Sequence, residues 1–512
     1  MRRGKFRLVA NGIEARVARE NATLPKGWTW TTLGKLGDWT GGGTPSKSNV
    51  DFWRGGAIPW VSPKDMKFDV VGETEDFITA DAVSNSAAKY VPASSVLMVM
   101  RSGILRHTFP VAINDRTVTL NQDLRALTPR EGVSAAFVAR YLKSASRRIL
   151  TECAKDGTTV NSIEVAALER LPVPIAPLPE QRRIVDRIDE LFAEIAGGEA
   201  ALAEARRGLD LFRRSLLKAA VTGELTRDWR ETGRPAETGV ELLARILDRR
   251  AARSVVPRRG RRSSTGTRER DSEIGNIPEG WAWATLGQLF DISTGSTPSR
   301  SEPKFWEGDV PWVSSGEVAF CRIQSTRETI SREALRSADR VHPAGTVLLA
   351  MIGEGKTRGQ CAILDVPATN NQNAAAIRVE STGIPSEYVY ITLEQRYYDT
   401  RRESQGGNQP ALNAGIVGEI PIPLPPPAEI EEILRRVSET QSAIEDTLKE
   451  LNAADADAVR LRQSTLKAAF EGRLVPQEPD EEPASALLAR LTAGASNGAR
   501  GRGTANRGDR RG

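Results

Sequence analysis

The residues of this chain that could do chemistry are few, and their spacing argues for binding rather than catalysis. Three cysteines (Cys153, Cys321, Cys361) lie far apart without a Cys-x-x-Cys, and the chain holds only two His. A structural zinc needs four clustered ligands, so no metal site is expected. Methylation of a flipped adenine would need an Asn- or Asp-Pro-Pro-aromatic motif, and neither Asn-Pro nor Asp-Pro-Pro occurs. A nucleotide-cradling loop is approached only at Ala350-Met351-Ile352-Gly353-Glu354-Gly355-Lys356-Thr357, which lacks the leading Gly. That stretch reads as a recognition loop, where Gly admits a close backbone approach while Lys356 and Arg358 reach phosphates or guanine edges, or else as a plain surface turn. Its counterpart nearer the N-terminus offers Arg101 and Arg106, with His107 behind them. Two polar turns ending in a cation, Gly41–Lys47 and Thr294–Arg300, make Lys47 and Arg300 candidates for backbone contacts. Ser62 and Lys64 follow a Pro-Trp strand and are matched by Ser314 and Ser315. Of the remaining Gly-rich loops (157–159 and 406–409), the second carries Gln409, a side chain able to bond adenine bidentately.

The elements that position these residues are written twice. Residues 24–60, LPKGWTWTTLGKLGDWTGGGTPSKSNVDFWRGGAIPW, answer 277–312, IPEGWAWATLGQLFDISTGSTPSRSEPKFWEGDVPW. Trp28, Trp30, Trp53 and Trp60 are matched in register by Trp281, Trp283, Trp306 and Trp312. PVPIAPLPEQRRIVDRIDELF is answered by PIPLPPPAEIEEILRRVSETQ, SLLKAAVTGEL by STLKAAFEGRL, and LLAR at 242–245 by LLAR at 487–490. A repeat of this kind dictates architecture. The stretches between the shared blocks diverge, VLMVMRSGILRHTFPVAINDRTVTLNQDL against VLLAMIGEGKTRGQCAILDVPATNNQNAA. A duplicated frame with divergent insertions suits two recognition surfaces of different specificity. The recurring Trp residues belong to the shared frame, as do Asn121-Gln122 and Asn371-Gln372.

Each half ends in a long helix. From Glu180 to about Ala220 there is no Pro, and Ile184, Ile188, Leu191, Ile195, Gly198, Leu202, Ala205, Leu209, Phe212 and Leu216 step by four and three. Ile433, Val437, Thr440, Ile444, Thr447, Leu451, Ala454, Ala458, Leu461 and Thr465 do the same. About 41 residues at ~1.5 Å each make a rod of about 60 Å. Gly197 and Gly198 predict a thin or bent point in the first seam. Two matched seams invite antiparallel pairing within the chain, which turns a direct repeat into an approximate two-fold. The fold class is therefore α+β: two α+β recognition domains joined and spaced by two long antiparallel coiled-coil helices. The expected segments are 1–23, recognition domain 24–176, helical spacer 177–248, basic disordered linker 249–275, recognition domain 276–426, helical spacer 427–493 and a disordered Gly/Arg tail 494–512. Lys and Arg outnumber Asp and Glu by 71 to 66, a mild excess. The nine Arg between Arg249 and Arg270 stand in sequence too poor in apolar residues to fold. Unpaired thiols suit a reducing cytoplasm. The basic N-terminus lacks the apolar run of a signal peptide, and no stretch is apolar enough to span a bilayer.

The opening P-x-G-W-x-W-x-x-L-G, followed by T-P-S, F-W and P-W, resembles the target-recognition domain of Type I restriction-modification specificity subunits. So do the closing runs VPIAPLPEQ and IPIPLPPPAEI ahead of a heptad helix. The resemblance extends from about Leu24 to Leu491; the basic linker, the Gly/Arg tail and Glu429-Ile430 in place of Glu-Gln depart from it. It implies a non-catalytic bacterial subunit that reads a bipartite, asymmetric site on double-stranded DNA, one half with each domain. It further implies two methyltransferase subunits on the helices, which modify adenine N6 with S-adenosylmethionine, and restriction subunits in the full complex. The subunit itself holds no cofactor. On residues alone, a freestanding methyltransferase or nuclease and a coiled-coil scaffold remain the alternatives.

Overall fold

The computed structural model describes residues 24–155, 161–233, 235–253, 276–335, 340–353, 356–403 and 412–491. They fall into two compact units that do not follow chain order. One comprises residues up to Leu202 together with those from Ala453 onward, and the other is Ala203–Asn452.

In the first unit a run of buried apolar residues, Val96–Val99, forms the centre of a five-stranded sheet. The sheet's order is Gly37–Gly41, Leu124–Pro129, Val96–Val99, Val111–Asn114, Val70–Val71. A strand buried on both faces reads as an unbroken apolar run, which is why VLMV sits there. A four-stranded sheet stands beside it, ordered Asp76–Ile78, Ile58–Val61, Val118–Leu120, Tyr90–Val91. The second unit repeats the five-stranded order with Asp291–Thr294, Ala374–Arg378, Val347–Ala350, Cys361–Leu364 and Cys321–Ile323. Its smaller sheet has three strands, Glu328–Ile330, Val310–Val313 and Thr369–Asn370. In both units the Trp-x-Trp strand pairs antiparallel with the Pro-rich one: Thr29–Thr32 with Pro172–Ile175, and Ala282–Thr285 with Pro421–Leu424. Proline is tolerated there because each is a two-stranded ribbon with open edges.

The long helices span Leu178–Thr222 and Pro427–Phe470. Each is followed by a Gly in the left-handed region, Gly223 at φ +79° and Gly472 at φ +66°. A Cβ on Gly472 would lie 2.1 Å from Pro25, and one on Gly223 2.4 Å from Pro278, so the helix ends press on the first residues of a recognition domain. Within the first unit, Ile184, Val185 and Ile188 from the start of the first helix share a core with Leu466, Ala469 and Phe470 from the end of the second. Within the second unit, Leu216, Leu217 and Ala220 meet Ile430, Ile433 and Val437. Both pairings are antiparallel.

The seam departs from its sequence reading at Gly198, Ala205, Phe212, Thr447 and Leu461, which are exposed, while Leu191, Thr440 and Ala454 stay half-buried. Ile188, Ile195, Leu202, Leu209 and Leu216 turn inward, but the positions between them include Glu199, Arg206 and Arg213 rather than Gly198, Ala205 and Phe212. A four-three stepping fits two columns equally well, and the charged column wins because its members find partners. Glu199 accepts from Arg462 at 2.9 Å, Arg206 donates to Asn452 at 2.9 Å, and Arg213 pairs with Glu394 at 2.8 Å. Leu448 and Arg462 likewise replace Thr447 and Leu461 in the second helix. Gly197 and Gly198 face open space, so they do not thin the seam.

The short helices after each rod complete the cores. Leu242 and Ile246 of Gly239–Arg253 are buried in the second unit, and Ala484 and Leu487 in the first. Gly239 N–H donates to Gly280 O at 2.7 Å, and Ala484 N–H to Gly27 O at 2.8 Å. The helix runs to Arg253, into the segment expected to be disordered. Arg250 holds it there, bonding Leu289 O at 3.2 Å and Asp291 at 2.9 Å. The remainder of the basic linker (254–275) and the tail lie outside the described residues.

Candidate nucleic-acid interface

The T-P-S turn is built alike in the two domains, and tryptophan builds it. The indole N–H of Trp60 donates to Gly43 O at 3.0 Å and that of Trp53 to Ser46 O at 3.2 Å. Trp312 and Trp306 do the same to Ser296 O (2.9 Å) and Ser299 O (3.1 Å). Each pair is edge-to-face, with centroids 5.1 and 5.0 Å apart. Trp60 and Trp312 are buried, so these two rings are framework and not stacking platforms; Trp53 and Trp306 are half-buried. From the other side the turn presses on the Asn-Gln bend. Gly43 N–H bonds Leu120 O at 2.8 Å and Ser296 N–H bonds Asn370 O at 2.9 Å. Here Gly is required by approach: a Cβ on Gly42 or Gly295 would lie 1.7 Å from a carbonyl oxygen of that bend.

Trp28 and Trp281 anchor the domains on the helices. Their indole N–H groups donate to Glu180 (3.0 Å) and Glu429 (2.8 Å), buried carboxylates in the first turns of the rods. Burial raises the Glu180 carboxyl above its ordinary range, against the pull of its Trp28 and Gln477 donors. Glu429 also accepts from Thr226 at 2.7 Å and from Arg230. The Glu-Gln to Glu-Ile departure exchanges one kind of core residue for another. Gln181 is fully buried and bonds Ala176 O (2.8 Å) and Ser134 N (2.9 Å), whereas Ile430 joins the apolar core.

On this frame the sequence candidates fall into three groups. Lys47, Arg106 and Lys356 are exposed, with no side-chain partner among the described residues. Arg106 ends a 3-10 turn at Gly103–Arg106. The Lys356 turn is braced by Tyr397, whose hydroxyl donates to Lys356 O at 3.0 Å and whose ring packs edge-on against Phe320 at 4.8 Å. Arg358 is half-buried beside it.

A second group is held by carboxylates. Arg101 pairs with Asp123 at 2.6 Å, and Lys64 with Glu75 at 3.4 Å. Arg300 grips both Glu328 oxygens (2.5 and 2.9 Å) and lies 3.5 Å from the Trp306 centroid. The Glu328 carboxylate raises the Arg300 pKa, and its own is lowered in return. Lys47 and Arg300, matched in sequence, thus part company: one is open and the other latched.

The third group is structural. The Ser62 N–H and Oγ both bond Asp65 Oδ2 (2.7 and 2.9 Å), and those of Ser314 bond Glu317 Oε2 (2.9 and 2.8 Å). Ser315 accepts from Asn371 at 3.5 Å. Ser62 and Ser314 are therefore engaged in capping boxes, which S-P-K-D and S-S-G-E already spell. Gln409 and the loops at 157–159 and 406–409 lie outside the described residues.

The two dipeptides expected to be framework, Asn121-Gln122 and Asn371-Gln372, are only half so. Asn121 and Asn371 are buried and bond their own turns, Oδ1 accepting from Asp123 N (2.9 Å) and Asn373 N (3.1 Å). Gln122 and Gln372, next to them, are exposed, and each accepts a hydrogen bond from the Thr of the adjacent turn, Thr44 or Thr297. The signal was present in the sequence as two recurring dipeptides, but nothing there separates the inward residue from the outward one.

Two copies of one scaffold, each presenting cations and Gly-rich turns that differ between copies, define a protein of the paired recognition-domain class. The chain belongs to the family of the Type I restriction modification DNA specificity domain, whose model matches residues 25–205 and again 278–453. It is a Type I restriction-modification specificity subunit with two recognition domains. It is 28% identical over 410 residues to the Type I restriction enzyme MjaIX specificity subunit of Methanocaldococcus jannaschii, covering 79% of this chain and 84% of that one. It is 23% identical over 435 residues to the EcoDI specificity subunit of Escherichia coli, covering 82% and 89%. A shorter match, 40% identical over 191 residues, covers 37% of this chain and 47%, about half, of the Escherichia coli EcoR124I/EcoR124II specificity subunit. In fold it is similar to a chain from a structure addressing complex assembly and conformational transition of the type I R-M system, with a TM-score of 0.63, 18% identity and coverage of 88% and 99%. It is also similar to the HsdS subunit of Thermoanaerobacter tengcongensis, with a TM-score of 0.50, 17% identity and coverage of 88% and 98%. No helix among the described residues is long and apolar enough to cross a membrane.

Proposed function

We propose that this subunit reads a bipartite, asymmetric site on double-stranded DNA, one half-site with each recognition domain. It also scaffolds two methyltransferase subunits and, in the full complex, restriction subunits, in the bacterial cytoplasm. Chemistry at adenine N6, with S-adenosylmethionine, resides on the partners. Within this chain Lys47, Lys64, Arg101, Arg106, Arg300, Lys356 and Arg358 supply the cationic contacts; Gln409 adds a base reader, and Ser62, Ser314 and Ser315 hold the loops beside them. The observation that carries the reading is the contrast between the shared turn, repeated bond for bond, and the strand-exit loops, where Arg101-Ser102 in one domain stands against Ile352-Gly353 in the other. A shared frame supplies docking and divergent loops supply specificity. The test replaces residues 24–170 with the equivalent unit of a relative and maps N6-methyladenine motifs in cells carrying the assembled complex. One half-site should change while the other half and the spacer persist. A motif altered in both halves by a folded chimera refutes the reading.

A further inference from the structure

We infer that Gln122 and Gln372 are a matched pair of DNA-backbone donors, one per recognition domain, that seat both domains on the duplex without reading sequence. The inference rests on the DNA-reading function proposed above and adds the contact that the two domains share. Each side chain is exposed at the outer corner of the Asn-Gln bend. Its oxygen is already committed: Gln372 Oε1 accepts from Thr297 Oγ1 at 2.6 Å, and Gln122 Oε1 accepts from Thr44 Oγ1. In the first domain the amide orientation is fixed a second time. Nε2 donates to Asp123 Oδ2 at 3.4 Å, and a carboxylate can only accept. With the oxygen turned inward, the group presented outward is N–H, a donor.

The donor's position is set from below as well. Each Thr sits on the turn clamped by the two indoles and pressed on the bend by Gly42 or Gly295. The same clamp therefore places the same donor in both domains, while the loops beside it share no residue pattern. A group held by the same threonine bond in two domains of different specificity cannot carry the difference between half-sites. What every duplex offers in common is phosphate oxygen, an acceptor matched to an amide N–H.

The test uses the full chain assembled with its methyltransferase partners, on a duplex carrying the mapped motif and on a random duplex. Gln122→Ala and Gln372→Ala should each weaken binding about 10–150-fold, the range for a hydrogen bond to a charged acceptor. The loss should be alike on both duplexes, with the methylation motif unchanged. Gln372→Glu keeps the acceptor for Thr297 but opposes an anion to the backbone, and should bind more weakly still. Because glutamine is neutral and releases no counterion, the salt slope should hold, whereas Lys47→Ala should lower it by about one. Unchanged thermal unfolding of each variant excludes a folding defect. A loss confined to the specific duplex, or a motif relaxed at one base, would overturn the inference in favour of base reading. Unchanged binding by the double Ala variant would overturn it in favour of a purely structural bend. Failure of the wild-type assembly to bind any duplex would overturn the proposed function itself, and this inference with it.

Discussion

His342 makes the second recognition unit acid-sensitive, and the size of the effect follows from its surroundings. The ring is 3% exposed, Nε2 bonds Asn370 Oδ1 at 2.9 Å, and Nδ1 accepts from Arg378 Nε at 3.1 Å. This arrangement suits only the neutral imidazole, because a proton on Nδ1 would face the guanidinium N–H. Burial, then the charges of Arg378 and Arg340, push the His342 pKa down to about 4 from the ordinary 6.5. Below pH 6.5 the unfolded chain takes up a proton that the folded chain refuses, so stability is complete above that pH and is lost as pH falls towards 4. With 1.36 kcal/mol per pKa unit, the loss is about 2 kcal/mol by pH 5 and about 3 kcal/mol once both states are protonated. Carboxylates elsewhere also titrate, so the measurement is a difference between wild type and His342→Gln, whose amide can donate to Asn370 and accept from Arg378. Hydrogen exchange in the central strand Val347–Ala350 reports opening of this unit alone. Between pH 7.5 and 5.0 the wild type should lose about 2 kcal/mol more protection than the variant. Parallel losses in the two proteins refute a buried, neutral His342.

The C-terminal helical turn should matter to the first domain and not to the second. Leu487→Ala should cost about 2–5 kcal/mol, read as earlier urea unfolding of the first unit with the exchange of Val347–Ala350 unaltered. Glu429→Ala strands the donors of Trp281, Thr226 and Arg230, and should cost about 3–5 kcal/mol in thermal or urea unfolding. Glu180→Ala, which strands only Trp28 and Gln477, should cost less in the same assay. Phe212 is 53% exposed, so Phe212→Ala should shift urea stability by less than about 0.5 kcal/mol. Leu216→Ala, one turn further on, should lose about 2–5 kcal/mol; equal losses at the two sites would restore Phe212 to the seam.

The duplication, the α+β domains and both long helices were legible in the sequence because each rests on period and spacing: four tryptophans in register, two Pro-free heptad runs, Gly at each end. The seam was half legible. Hydrophobicity picks Phe212 over Arg213 and Leu461 over Arg462, and only the partners Glu394 and Glu199, brought by tertiary packing, reverse that choice. Among site residues the cations were identifiable by type, but their availability was not. Nothing in the strings SKS and SRS tells that Arg300 is latched on Glu328 while Lys47 is open, since the latch comes from a strand 28 residues away. The capping roles of Ser62 and Ser314 were legible too, in the acid three residues on. The engagement of Gln122 and Gln372 by Thr44 and Thr297 spans 78 and 75 residues and needed the fold.

The late arrival of core residues sets an order of events on the ribosome. The second unit is one uninterrupted stretch, complete when Asn452 emerges. The first is not, since Arg183 bonds Glu481, 298 residues downstream, and Ala469, Ala484 and Leu487 close the core that Val133 and Phe137 open. At 5–20 residues per second that interval lasts roughly 15–60 s. The domain made first is therefore the domain finished last, and a nascent chain released within the basic linker would carry it with an apolar face uncovered.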